Sequence, residues 1–188
     1  MFEKNAKRRR ISSLKQARAL CIDDSSFKKG QEYCFLIAVL MRENDYLEKI
    51  KITKIKVDGF DSTEKICELG RAMRADIVFL HGTTFGGLNF ADLDKIYENL
   101  KIPIVAVLKR KPSLRRVLKA IENKKNFEEK KSILEKSLDY KKIGNMYFLL
   151  RGIEEKEFEK VLKRFIKRGN NPEGLRIADM IGKCVYEF

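Results

Sequence analysis

Three short stretches of this chain hold residues that could share one chemistry. Residues 22–24 read Ile-Asp-Asp at the close of an apolar run, residues 58–64 carry Asp58, Asp61 and Glu64, and residues 81–87 begin at the chain's one histidine, His81, and run into a turn containing Gly86 and Gly87. Carboxylates brought together repel, and protonation or a divalent cation relieves the repulsion. An oxygen-rich cluster suits Mg²⁺ or Mn²⁺, and a cation so held activates water and stabilises charge on a phosphodiester. Each acid also has a plain reading: Asp23 and Asp24 could close a turn, Asp61 could cap a helix, and Glu64 could be solvated charge in a helix's first turn.

These residues act together only if the fold brings them to one edge. Residues 19–24 form a first strand that exits into a polar turn, and residues 33–42 are apolar throughout. Residues 47–57 alternate apolar and charged positions, so the second and third strands read as an antiparallel hairpin with one wet face. From Asp61 the period becomes helical, with Ile66, Cys67, Leu69 and Met73 near one stripe. A buried strand at 75–82 carries His81 at its end, a helix is expected with Asn89 as its N-cap, and a further buried strand at 102–111 leads to the basic exit Lys109, Arg110 and Lys111. Strand, helix, strand implies a right-handed crossover and parallel pairing.

Residues 124–142 are rich in Lys and Glu and read as a solvated excursion with a helix at 127–138. Residues 145–152 read as a sixth strand. Residues 154–169 read as an amphipathic helix with Phe158, Val161, Leu162, Phe165 and Ile166 inward, and a last helix starts near Pro172. The expected fold is a ribonuclease H-like α/β mixed sheet, an antiparallel hairpin plus parallel strands with helices on both faces. Residues 1–188 read as one domain, with a basic opening segment at 1–18. In open α/β sheets the functional edge lies beyond the carboxyl ends of the parallel strands, which makes Asp23, Asp24 and His81 neighbours.

Charge sets the partner. Lys and Arg number 41 against 27 acidic residues, a formal net charge of +14. Each phosphate neutralised by such a surface releases condensed counterions, which favours a nucleic-acid partner; the competing reading is a Lys/Glu-rich solvated surface. Cys21, Cys34, Cys67 and Cys184 are scattered, with no Cys-x-x-Cys pair, which argues against zinc. No apolar run approaches the roughly 18 residues of a membrane helix, so a cytoplasmic protein with reduced thiols and no membrane partner is expected. The turn at 82–87 has neither nucleotide-binding glycine spacing, which disfavours a small-molecule enzyme that grips a phosphate there.

Taken in order, Ile-Asp-Asp, Val-Asp-Gly-Phe-Asp-Ser-Thr at 57–63, His-Gly-Thr-Thr-Phe-Gly-Gly-Leu-Asn at 81–89, the strand at 102–112, and Asn-Asn-Pro-Glu-Gly-Leu-Arg-Ile-Ala-Asp-Met-Ile-Gly at 170–182 resemble the archaeal endonuclease dU family. That family is similar to endonuclease V, a metal-dependent DNA-repair nuclease with a ribonuclease H-like fold. The resemblance covers nearly the whole chain. It implies Mg²⁺-dependent hydrolysis of DNA near a deaminated base such as uracil or hypoxanthine. By position, Asp23 resembles the first-strand metal ligand, Asp61 or Glu64 the second acid, and Lys109 the lysine that steadies the phosphate. His81 departs from the resemblance, which implies an aspartate there. A neutral imidazole brings one nitrogen and no negative charge, so either the preference moves toward Mn²⁺, or catalysis is lost and a nucleic-acid-binding protein remains, or the histidine is structural.

Overall fold

The computed structural model describes residues 11–186, and seven strands in one sheet organise them. A 3₁₀ turn at Ile11–Ser13 leads to β1 (Arg18–Asp24), which pairs with β2 (Tyr33–Arg42); β2 pairs in turn with β3 (Tyr46–Lys56), both antiparallel. This is the expected hairpin, with a register shift at Leu40/Met41. After α1 (Ser62–Met73) the chain returns as β4 (Ile77–His81), parallel to β1. A small ribbon follows, β5 (Thr84–Phe85) and β6 (Asn89–Phe90), then α2 (Leu93–Leu100) and β7 (Ile104–Leu108), parallel to β4. Next come α3 (Leu114–Ile121), α4 (Phe127–Lys136), β8 (Lys141–Ile143), β9 (Met146–Arg151), α5 (Glu155–Leu162) and α6 (Glu173–Tyr186). The sheet order is β3-β2-β1-β4-β7-β9-β8.

Side chains alternate across a strand, and that alternation divides the core in two. Leu20, Ile22, Leu36, Ala38, Val78, Leu80, Ile104 and Ala106 face α1 and α2 and pack with Ile66, Leu69, Met73, Leu93 and Ile96. Cys21, Ile37, Val39, Phe79, Val105 and Val107 face the other way, toward Phe158, Val161 and Phe165 and toward Leu175 and Ala178 of α6. Helices therefore cover both faces. A third, smaller cluster joins α3 and α4 through Ile121, Ile133 and Leu134 to Phe90.

Four sequence expectations are corrected. Asn89 does not cap the following helix: Asp92 does, accepting the N–H groups of Asp94 and Lys95, while Asn89 is wholly buried and bonded elsewhere. The Lys/Glu-rich excursion is not all solvated, since Lys130 is fully buried and its ammonium donates to the Asp58 carbonyl at 2.9 Å. The amphipathic helix expected at 154–169 is α5 and stops at Leu162, with Phe165 entering the core from the turn beyond it. The short strand β8 stands where a polar connection was expected. Of the basic opening segment at 1–18, residues 1–10 lie outside the described residues, while Ile11 and Ala17 are buried. Among the described residues no helix is long and apolar enough to cross a membrane.

Candidate active site

The parallel register of β1 on β4 pairs Ile22 with Leu80, so the next residue of each strand, Asp23 and His81, emerges at the same carboxyl-end edge. Both belong to the face covered by α6. Asp23 is 5% exposed, and its Oδ2 lies 2.6 Å from His81 Nδ1. Its other oxygen accepts the Asp24 N–H at 2.9 Å. Hydrogen bonding to Asp23 raises the pKa of His81 above the ordinary imidazole value, against the opposing effects of burial and of Lys109. An imidazolium–carboxylate pair is thus favoured at the strand ends.

Helix α6 completes this corner. A Cβ on Gly174 would stand 2.5 Å from Cys21 Sγ, and one on Gly182 would stand 2.8 Å from the Asp24 carbonyl oxygen, so the two glycines let α6 lie directly on β1. Asp179 and Lys183 project from the flank of α6 that their ion pair of 2.6 Å occupies. The charge of Asp179 acts on His81, and that of Asp23 acts on Lys183. Asp23, His81, Asp179, Lys183 and Lys109 therefore form one electrostatic group. Asp179 and Lys183 carry no signal in the sequence beyond a helical spacing of four, in a helix whose docking the sequence does not reveal.

The other expected residues go elsewhere. Asp24, next to Asp23 on an alternating strand, faces α1 instead and accepts the Gly86 N–H at 2.6 Å. Gly86 and Gly87 have φ of +50° and +84°, a left-handed turn that suits glycine and aims that N–H at the carboxylate. Asp61 occupies the N-cap position of α1 without capping it; it accepts from Asn89 Nδ2 at 2.6 Å. Asn89 also donates to the Lys56 carbonyl at 2.9 Å and accepts the Ser62 N–H at 3.0 Å, which makes it the buried hub of this loop. Glu64 is exposed on α1 and lines a groove of about 390 Å³ with Cys67, Arg71, Asp92 and Lys95. No hydrogen bond or ion pair of the described residues joins Asp61 or Glu64 to Asp23 or His81, and no three of their His, Cys, Asp and Glu side chains are grouped so as to hold a metal ion.

Burial pushes the pKa of Asp24 up to about 6, the Gly86 N–H opposing this and the charge of Asp23 adding to it. The sign follows. A carboxyl with a raised folded-state pKa costs nothing while protonated in both states; it destabilises the fold progressively as pH climbs from about 4 to about 6, and the cost is constant above that. Replacing Asp24 with Asn, which can still accept from Gly86, is expected to stabilise the chain at pH 8 by on the order of 3 kcal/mol, with the gain gone by about pH 4. Urea unfolding in chelator across that range measures it, and a gain independent of pH would contradict the assignment.

The family model for endonuclease dU matches residues 15–186. The chain belongs to the endonuclease dU family. Its relatives include a UPF0215 protein of Archaeoglobus fulgidus, 32% identical over 92% of this chain and 95% of that one, and a UPF0215 protein of Methanocaldococcus jannaschii, 32% identical over 86% and 90%. Among solved structures, a protein of unknown function from Archaeoglobus fulgidus superposes with a TM-score of 0.82 at 32% identity, covering 90% of this chain and 98% of that one. Endonuclease V of Ciona intestinalis, in complex with a 24mer DNA containing an inosine followed by a ribo-adenosine, gives a TM-score of 0.59 at 12% identity, covering 91% and 86%; human endonuclease V gives 0.59 at 14%, covering 89% and 83%. At such identities the likeness to endonuclease V is one of fold, and the fold is the ribonuclease H-like one expected for this dU-family chain.

Proposed function

We propose that the chain is an endonuclease that hydrolyses phosphodiester bonds in nucleic acid, DNA in the first instance, close to deaminated bases such as uracil or hypoxanthine. The observation that carries this reading is the meeting of Asp23 and His81 at 2.6 Å, on adjacent strand ends of a fold shared with endonuclease V. The family match and the inosine-containing DNA held by the Ciona protein support the reaction and substrate class. The positive charge of the chain supports a polyanionic substrate.

Mg²⁺ or Mn²⁺ is the cofactor the resemblance implies, and the donors as they stand do not fit it. Both oxygens of Asp23 are engaged, by His81 and by the Asp24 N–H, and Asp61 is held by Asn89. The chain's own residues can do the following. His81, engaged at Nδ1, keeps Nε2 to donate a hydrogen bond to a phosphate oxygen and to pass its proton to the departing oxygen. Asp23 fixes the ring and favours its charged form. Lys109, whose charge is felt at His81, adds a cation where phosphate negative charge would gather.

The same geometry favours a second reading, a nucleic-acid-binding protein that keeps the fold without the chemistry, because no three donors are grouped for a cation among the described residues. Uracil-containing, inosine-containing and undamaged oligonucleotides, each with Mg²⁺, with Mn²⁺ and with chelator, separate the two. A nick near the deaminated base supports the nuclease. Salt-sensitive binding with no nick in any arm supports the alternative.

A further inference from the structure

Between Lys109 and Lys125 stand eight basic residues and one acid, Glu122, so half of the chain's formal net charge of +14 lies in seventeen residues. The structure turns that run into a surface. β7 delivers Lys109 beside His81, the chain turns through Arg110 and Lys111, and α3 follows. Leu114, Val117, Leu118 and Ile121 of α3 pack toward Phe90 and α4, so the opposite side of the helix presents Arg115, Arg116 and Lys119, all exposed. Spaced i, i+1 and i+4, these three fall within about one quadrant or so of the helix. Among the described residues no carboxylate pairs with Arg110, Arg115, Arg116 or Lys119. Some cations elsewhere are answered, Lys65 by Glu68, Lys141 by Asp139 and Lys183 by Asp179, and within the run Lys124 is held by Asp58; the exposed lysines of β3, Lys49, Lys51 and Lys54, stand on an edge strand far from the run in sequence. Helix α3 itself contains no acid.

We infer that the exposed face of α3 is a track for the phosphodiester backbone of nucleic acid, leading away from the Asp23–His81 corner. This rests on the nucleic-acid partner of the preceding reading and adds where that partner lies. Cations without carboxylate partners on a rigid helix, a short way along the chain from the Lys109 whose charge acts on His81, suit successive phosphates of one strand and carry no means of reading bases. The track therefore supplies affinity and register and leaves sequence unread. An eight-residue helix is about 12 Å long, a span of two to four phosphates at about 3.4 Å per nucleotide of one strand.

The test measures binding alone, with the full chain in chelator, to an undamaged fluorescent oligonucleotide from about 50 to about 300 mM salt, a range over which phosphate contacts dominate the response. The variant Arg115→Gln/Arg116→Gln/Lys119→Gln is compared with Lys49→Gln/Lys51→Gln/Lys54→Gln, which removes the same charge from exposed positions of β3. Thermal melts establish that both fold. The α3 variant is expected to bind at least about tenfold more weakly at 100 mM salt, and to flatten the slope of log affinity against log salt by about 2 to 3, while the β3 variant keeps the wild-type slope. Equal losses in both variants would overturn the track in favour of diffuse charge. An unchanged α3 variant, a wild type that binds no nucleic acid, or a wild type that binds only vesicles of anionic phospholipid would each overturn it as well. A wild type that binds through α3 but never cleaves leaves the track standing and removes the nuclease; one that cleaves while the α3 variant binds normally does the reverse.

Discussion

Replacing Asp23 with Asn is expected to lower the rate of cleavage of a uracil- or inosine-containing strand by about a hundredfold or more, the scale on which a positioned acid–base group contributes. The substitution is nearly isosteric, and the amide can still accept from the Asp24 N–H, so β1 keeps its place. What it removes is the negative charge 2.6 Å from His81. Without that charge, burial and Lys109 both act against the imidazolium, and the ring loses the proton proposed for the departing oxygen. A second readout distinguishes this from a folding defect. Because the chain has one histidine, the ring resonances titrate alone, and their midpoint should fall in the variant. The linkage has the matching sign. A raised histidine pKa stabilises the fold below its ordinary value near 6.5, and that contribution is lost as pH rises through the folded-state value. The variant should therefore lose stability at about pH 6, and the loss should shrink as pH rises through the folded-state value. Full cleavage activity in Asp23→Asn would remove the pair from the chemistry.

The exchange His81→Asp tests the departure from the resemblance directly. It puts a second carboxylate against Asp23 in a corner where Asp23 is nearly inaccessible, and exchanges an attraction for a repulsion. In chelator at pH 8 the variant is expected to be less stable than wild type by about 3 kcal/mol or more, the scale for leaving a buried charge uncompensated. Two facing carboxylates are also what a hard cation requires. Adding Mg²⁺ should return much of the loss, about 2.7 kcal/mol at a hundred times the dissociation constant, while wild type, in which Asp23 Oδ2 is hydrogen-bonded to His81, responds far less. Thermal melts of both proteins with and without Mg²⁺ decide the matter, and equal responses would show that residue 81 has no bearing on a cation.

The corner was legible in the sequence to the extent that it depends on strand order. The apolar run ending at Asp23, the hairpin at 33–57 and the buried strand ending at His81 give β1 and β4 as neighbours, and the rule that strand carboxyl ends carry function selects both residues. Asp24 was legible too: adjacent residues on a strand face opposite sides, so Asp23 and Asp24 cannot both serve one face. Asp61 and Glu64 fall with Asp24 on the side of α1. Contributions that arise only in three dimensions left no pattern. Asn89 looks like a helix cap, since the type is right and a helix follows, but its amide is spent on Lys56, Asp61 and Ser62, and Asp92 does the capping. Lys130 sits in a run of lysines and glutamates that reads as solvated, yet it donates to the Asp58 carbonyl from inside the fold. The charge of Asp179 acts on His81 because Gly174 and Gly182 let α6 settle on β1, and neither glycine announces its partner.

The central claim is that nucleic acid comes to the Asp23–His81 pair, and the chain's one histidine gives the most direct view of it. The ring signals of His81 are followed while an uncleavable phosphorothioate strand bearing uracil or hypoxanthine is added to saturation. Ring resonances that move with the same midpoint as overall binding are the result expected. Saturated binding with the His81 signals fixed at their free positions would place the nucleic acid elsewhere on the molecule and contradict the claim.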